Sequence, residues 1–121
     1  MSNQHLTVLT KKRWSKKMFK IIVFVPKNFG QQVKDEMFKA GAGKFKNYDC
    51  CSFETEGMGQ FRPLKNANPF LGTIDTVEKV PELKVEMICP KNRIQEVISA
   101  MKKAHPYEEV AFDVISLVEI K

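Results

Sequence analysis

Phe19-Lys20-Ile21-Ile22-Val23-Phe24-Val25-Pro26-Lys27-Asn28 and Leu83-Lys84-Val85-Glu86-Met87-Ile88-Cys89-Pro90-Lys91-Asn92 are one element written twice, an apolar run closed by Pro-Lys-Asn. The match runs without a gap from residues 19–55 onto 83–119, and eleven of the 37 aligned pairs are identical. Past the shared Pro-Lys-Asn, Gln31 falls on Gln95, Val33 on Val97, Met37 on Met101, Ala40 on Ala104, Asp49 on Asp113 and Ser52 on Ser116. A self-match of this extent is a statement about fold.

Phe19 to Val25 is rich in β-branched and aromatic residues, and Pro26 ends the run because it has no N–H to give to a ladder. Asn28 is placed to cap a helix, with Gln31 three residues on to return the bond, and Val33, Met37 and Ala40 then share a face. Gly41-Ala42-Gly43 stops that helix, and Tyr48 to Thr55 reads as the next strand. The second half repeats the plan with strand Leu83–Cys89, cap Asn92 with Gln95, helix face Ile94, Val97, Ile98 and Met101, and a closing strand from Ala111 to Ile120. The order predicts an α+β, ferredoxin-like βαβ-βαβ sandwich, with four antiparallel strands and two helices on one face. Ile22 and Phe24 lie on the strand face opposite Ile21, Val23 and Val25, so the face without helices also carries apolar residues. A second copy of the sheet, the chain's own 57–81 segment or its N-terminal tail would each cover it.

The formal charge of +6 is local. Lys11, Lys12, Arg13, Lys16 and Lys17 stand in a stretch with no acid, and residues 18–121 hold 15 basic against 14 acidic side chains. A near-neutral body lacks the basic face of a nucleic-acid-binding domain. Residues 1–17 therefore read as a basic extension and 18–121 as one domain. No apolar run suits a signal peptide or a membrane span, and three cysteines make no disulfide framework, so the expectation is a cytoplasmic protein in a reducing compartment.

Gly57 to Pro81 has no counterpart in the other half. Gly57 and Gly59 permit a turn, Gln60-Phe61-Arg62 is long enough for an extra hairpin strand returning on residues 50–55, and Pro63 and Pro69 prevent regular continuation. The rest reads as a loop pinned by Phe61 and Phe70. The glycines stand between strands rather than between strand and helix, which excludes a phosphate-binding loop.

Chemistry concentrates where the halves disagree. Gly41-Ala42-Gly43-Lys44-Phe45 is replaced by His105-Pro106-Tyr107-Glu108-Glu109, an imidazole, a phenol and two carboxylates on a turn that Pro106 fixes. His105 is a candidate general base or metal ligand, or else a cation capping the last carbonyls of its helix. Arg62 is the distant cation best placed to anchor Glu108 or Glu109. Cys50 and Cys51, read as strand residues, point to opposite faces; one suits the core, and Cys51 could join Asp49, Glu108 and His105 around a divalent metal.

Asn47-Tyr48-Asp49, Cys51-Ser52-Phe53, Gly57, Gly59, Phe61, Pro63, Asn68-Pro69, Gly72 and His105-Pro106-Tyr107-Glu108-Glu109 together resemble the CutA-like domain inserted in YqfO-type dinuclear-metal-centre proteins, over about residues 18–118. HPYE is also similar to the CutA divalent-cation tolerance proteins, and the wider fold to PII signalling proteins. Val110 stands where proline is usual, and Cys50 where other residues, His among them, are expected. The resemblance implies a CutA/PII-like domain that associates through its sheets. It implies no hydrolase, because the dinuclear-centre ligands of those proteins belong to flanking domains.

The expectation is thus a non-enzymatic, homo-oligomeric binding or regulatory module, trimer or dimer, with a pocket at the His105–Glu109 corner. Its site candidates are Arg62, His105, Tyr107, Glu108 and Glu109, with a small molecule as ligand and no firm cofactor. The alternative is a divalent-metal-binding protein using His105, Glu108, Asp49 and Cys51. Enzymatic use of His105, or nucleic-acid binding by the Lys11–Lys17 arm, would be the remaining readings.

Overall fold

A computed structural model of the protein describes residues 17–120. The extension read at residues 1–17 lies outside them except for Lys17, whose carbonyl accepts from the Lys91 N–H at 3.0 Å. Strand β1 (Met18–Pro26) leads through a 3₁₀ turn at Lys27–Phe29 into α1 (Gly30–Ala40). Strands β2 (Phe53–Phe61) and β3 (Glu78–Pro90) come next, and a second 3₁₀ turn at Lys91–Arg93 leads into α2 (Ile94–Ala104) and β4 (Phe112–Ser116). The four strands form one sheet in the order β2-β3-β1-β4. All three pairings are antiparallel, with Ile21 opposite Met87 and Val114, and Gly57 opposite Glu82. This is the expected ferredoxin-like α+β fold.

Alternation along the strands separates the two faces. Ile21, Val23 and Val25 of β1 and Leu83, Val85 and Met87 of β3 are buried with Val33 and Met37 of α1 and Val97 and Met101 of α2. Lys20, Ile22 and Phe24 take the other face, where Lys20 pairs with Glu86 at 3.1 Å. Ile115 and Phe53, on that face by register, are 46% and 68% exposed, so the apolar open face expected from the sequence exists.

Four local expectations are corrected. Neither Asn28 nor Asn92 caps a helix, because the 3₁₀ turns supply the entry through backbone bonds such as Gly30 N–H to Lys27 O, and Gln31 instead donates to Asp35 at 2.8 Å. The extra hairpin strand is absent among the described residues: β2 runs straight through Gly57 and Gly59, and its hairpin partner is β3 across a loop of residues 62–77. Residues 48–52 are not strand. Phe45 and Tyr48 exchange two 2.9 Å backbone bonds in a small hairpin, and Cys50 has φ +53°. Finally, β4 is Phe112–Ser116 rather than running to Ile120, with one further backbone bond at its end, Leu117 N–H to Met18 O at 3.1 Å.

Gly41 ends α1 at φ +121°, a left-handed conformation only glycine adopts cheaply. The Arg93 side chain lies over it, with Nε donating to Ala40 O at 3.1 Å and tying the two helices together.

Candidate functional site at the α2 to β4 corner

The turn after α2 is held by His105, which is 6% exposed. Its Nδ1 accepts the Tyr107 N–H at 3.1 Å, so the neutral ring carries its proton on Nε2, which donates to Phe24 O at 2.8 Å. Burial lowers the ring's pKa, and the Phe24 bond only partly offsets this. His105 is therefore a neutral clip from the helix end to β1 rather than a cationic cap.

That clip sets Tyr107 among rings. Its centroid lies 5.7 Å from Phe61, 6.5 Å from Phe70 and 5.1 Å from His105. Phe70 packs edge-on against Phe29 at 5.5 Å, which pins the 62–77 loop to the body as its aromatics suggested. Asn68 N–H donates to Glu108 Oε2 at 2.7 Å, a second tie between loop and corner.

Between loop and corner lies a cavity of about 500 Å³ with mainly apolar walls, including Phe24, Phe61, Pro63, Phe70 and Leu71. Arg62, Tyr107, Glu108 and Glu109 all line it. Arg62 is exposed, and Glu108 takes the Asn68 amide rather than the guanidinium expected for it. A neighbouring depression of about 420 Å³ shares Phe24, Gln60, Glu82 and Ala111 with the first.

One charged residue of this site, Glu82, escaped the sequence reading, and Gly59, read there as part of a turn, lies beneath it in a strand. Glu82 projects across Gly59, where an added Cβ would run into its carboxylate. Burial raises its pKa, partly offset by the facing Tyr107 hydroxyl. That hydroxyl is buried and meets no acceptor at hydrogen-bond geometry, so it faces the Glu82 carboxyl as a neutral dipole rather than through a formed bond. Burial, then the charges of Glu82 and Glu78, push the Tyr107 phenol up to about 12.

The metal candidates do not converge. Both nitrogens of His105 are engaged, Glu108 is bound to Asn68, and Asp49 and Cys51 belong to another part of the fold. The Cys51 N–H bonds Gly43 O, and the Gly43 N–H bonds Ile88 O, which is level with Lys20 rather than Phe24. Four residues of strand, roughly 13 Å, separate those levels. Among the described residues no group of three His, Cys, Asp or Glu side chains could hold a metal ion. Cys50 is exposed and Cys51 half-buried, so neither is the core thiol; Cys89 is.

No protein-family profile matches the chain. It is 45% identical over 95 residues to the GTP cyclohydrolase 1 type 2 homolog of Bacillus subtilis, a match covering 78% of this chain and 26% of that protein. The homolog of Halalkalibacterium halodurans is 42% identical over 100 residues, covering 83% of this chain and 27% of that protein. A Bacillus cereus protein related to NIF3 superposes with a TM-score of 0.74 at 39% identity, over 86% of this chain and 26% of that one. The chain resembles the insert domain of NIF3-related, YqfO-type proteins.

This NIF3-like domain spans about a quarter of the length of the curated relatives it matches. Two further likenesses bear on fold alone. The divalent ion tolerance protein CutA1 of Ehrlichia chaffeensis gives a TM-score of 0.63 at 10% identity, over 88% of this chain and 86% of that one. The GlnK–ATP complex of B. subtilis gives 0.58 at 15%, over 85% and 84%. The CutA/PII-like fold of the domain is thereby shown. Among its described residues no helix is long and apolar enough to cross a membrane.

Proposed function

We propose that the chain is a non-enzymatic binding module that works as a homo-oligomer and takes a small molecule in the cavity beneath the 62–77 loop. The observation that carries this is the cavity itself. Its volume of about 500 Å³ lies within the range of small-molecule sites, and its largely apolar walls include the Tyr107 phenol and the half-buried Glu82 carboxyl. His105, the obvious acid or base of the corner, has both ring nitrogens committed to the backbone, which supports a positioning role over a chemical one. Self-association is supported by the apolar open face of the sheet, where Phe53 and Ile115 are exposed.

Ala111→Trp, which fills the cavity from its exposed edge, should abolish thermal stabilisation by any small molecule that stabilises the wild type. Stabilisation that survives the substitution would refute the site. In light scattering at micromolar concentration the expected mass is that of a trimer or dimer, and a monomer would contradict self-association. A divalent metal would require His105 to release Phe24, so zinc should bind the wild type no more tightly than it binds His105→Gln.

A further inference from the structure

We infer that the cavity selects an organic cation, a small molecule with an apolar body and a protonated nitrogen that pairs with Glu82. The inference rests on the reading of the cavity as a ligand site and adds the ligand's charge.

Three features point the same way. Glu82 is a half-buried carboxyl in a largely apolar wall, and the ion pairs of the described residues use other acids: Glu36, Glu54, Glu56, Glu86 and Glu96. A carboxylate drawn out of water without a cation is costly, and the fold makes room for this one by leaving Gly59 without a side chain beneath it. The second feature is aromatic. Phe61, Phe70 and Tyr107 all line the cavity within 6.5 Å of one another through Tyr107, and the negative faces of such rings attract a cation. The third is the charge of the lining, where Glu82, Glu108 and Glu109 stand against Arg62 alone.

An anionic ligand would enter against three carboxylates, and a neutral one would leave Glu82 unmatched. An inorganic divalent ion is equally ill served, since calcium and magnesium need about six oxygen ligands, Glu108 is committed to the Asn68 N–H, and among the described residues no three acidic, His or Cys side chains converge on a metal. A protonated amine satisfies every element, its nitrogen on Glu82 beside the Tyr107 hydroxyl and its apolar part against Phe61 and Phe70.

Three probes of one shape separate the possibilities: phenethylamine, 2-phenylethanol and 3-phenylpropionate, titrated calorimetrically into the full chain at neutral pH. Phenethylamine should bind at least about tenfold more tightly than either of the others, as a desolvated charge pair requires. Glu82→Gln should remove that preference by weakening phenethylamine toward the affinity of 2-phenylethanol. Gly59→Ala, which displaces the carboxylate but keeps its charge, should weaken phenethylamine alone and serves if Glu82→Gln fails to fold. Equal binding of the three probes would overturn the cation inference and leave the cavity a ligand site. Absence of binding by all three would overturn both.

Discussion

The imidazole of His105 lies 2.8 Å from the carbonyl oxygen of Phe24, joining the end of α2 to the last residues of β1 across 81 residues of sequence. Replacing the ring leaves the part-buried Phe24 carbonyl and the Tyr107 N–H without partners, a loss of at most about 1–3 kcal/mol for each group left unmet. His105→Gln should lower the urea midpoint accordingly with little change in slope, since the same surface unfolds. The pH dependence has a definite sign. Burial lowers the folded pKa below the ordinary value of 6.5, so the unfolded chain takes up the proton first as pH falls. The stability contributed by neutral His105 is therefore complete above 6.5, and is lost as pH falls from there through the folded pKa. His105→Gln should flatten that part of the profile, and an unchanged profile would refute the clip.

Gly43 and Gly57 should respond oppositely to alanine. Gly43 sits at φ +74°, and a Cβ there would stand 2.9 Å from Cys51 O and 2.7 Å from the Phe38 ring, so Gly43→Ala should cost upwards of about 1–2 kcal/mol. Gly57 lies in an extended edge strand with nothing within 4 Å of its absent Cβ. Gly57→Ala should be neutral or stabilise by about 0.5–1 kcal/mol. Chemical denaturation of the two variants beside the wild type checks both.

The fold was legible where periodicity was strong. The two Pro-Lys-Asn junctions and the stripes Val33-Met37 and Val97-Met101 placed β1, β3 and both helices, because burial on one face imposes a period that survives in the sequence. Misreading came at Gly57 and Gly59, taken as a turn because glycine usually interrupts strands. At a sheet edge that weakness is tolerated, and at Gly59 the missing side chain is what seats Glu82. The site was legible in part for the same reason. Tyr107, Glu108, Glu109 and Arg62 were found from the difference between the halves, whereas Glu82 lay just outside the overlay. Its one signal was to stand with Lys84 and Glu86 on the polar side of β3, and its meaning required the register with β2.

The three thiols should separate by reactivity. Cys89 is fully buried and burial pushes its thiol up to about 11, while Cys50 is exposed and Cys51 half-buried. In a thiol titration of the native protein Cys50 and Cys51 should react and Cys89 should not, until denaturant is added. Early modification of Cys89, read by peptide mass, would contradict the core described here.

Backbone-amide NMR of the assembled protein during a fragment titration tests directly whether the cavity beneath the 62–77 loop is a ligand site. Shifts caused by bound fragments should cluster at Phe61, Leu71, Tyr107, Glu108 and Glu82. Shifts confined to other surfaces, such as the Phe45–Tyr48 hairpin, with the cavity residues unmoved, would contradict it.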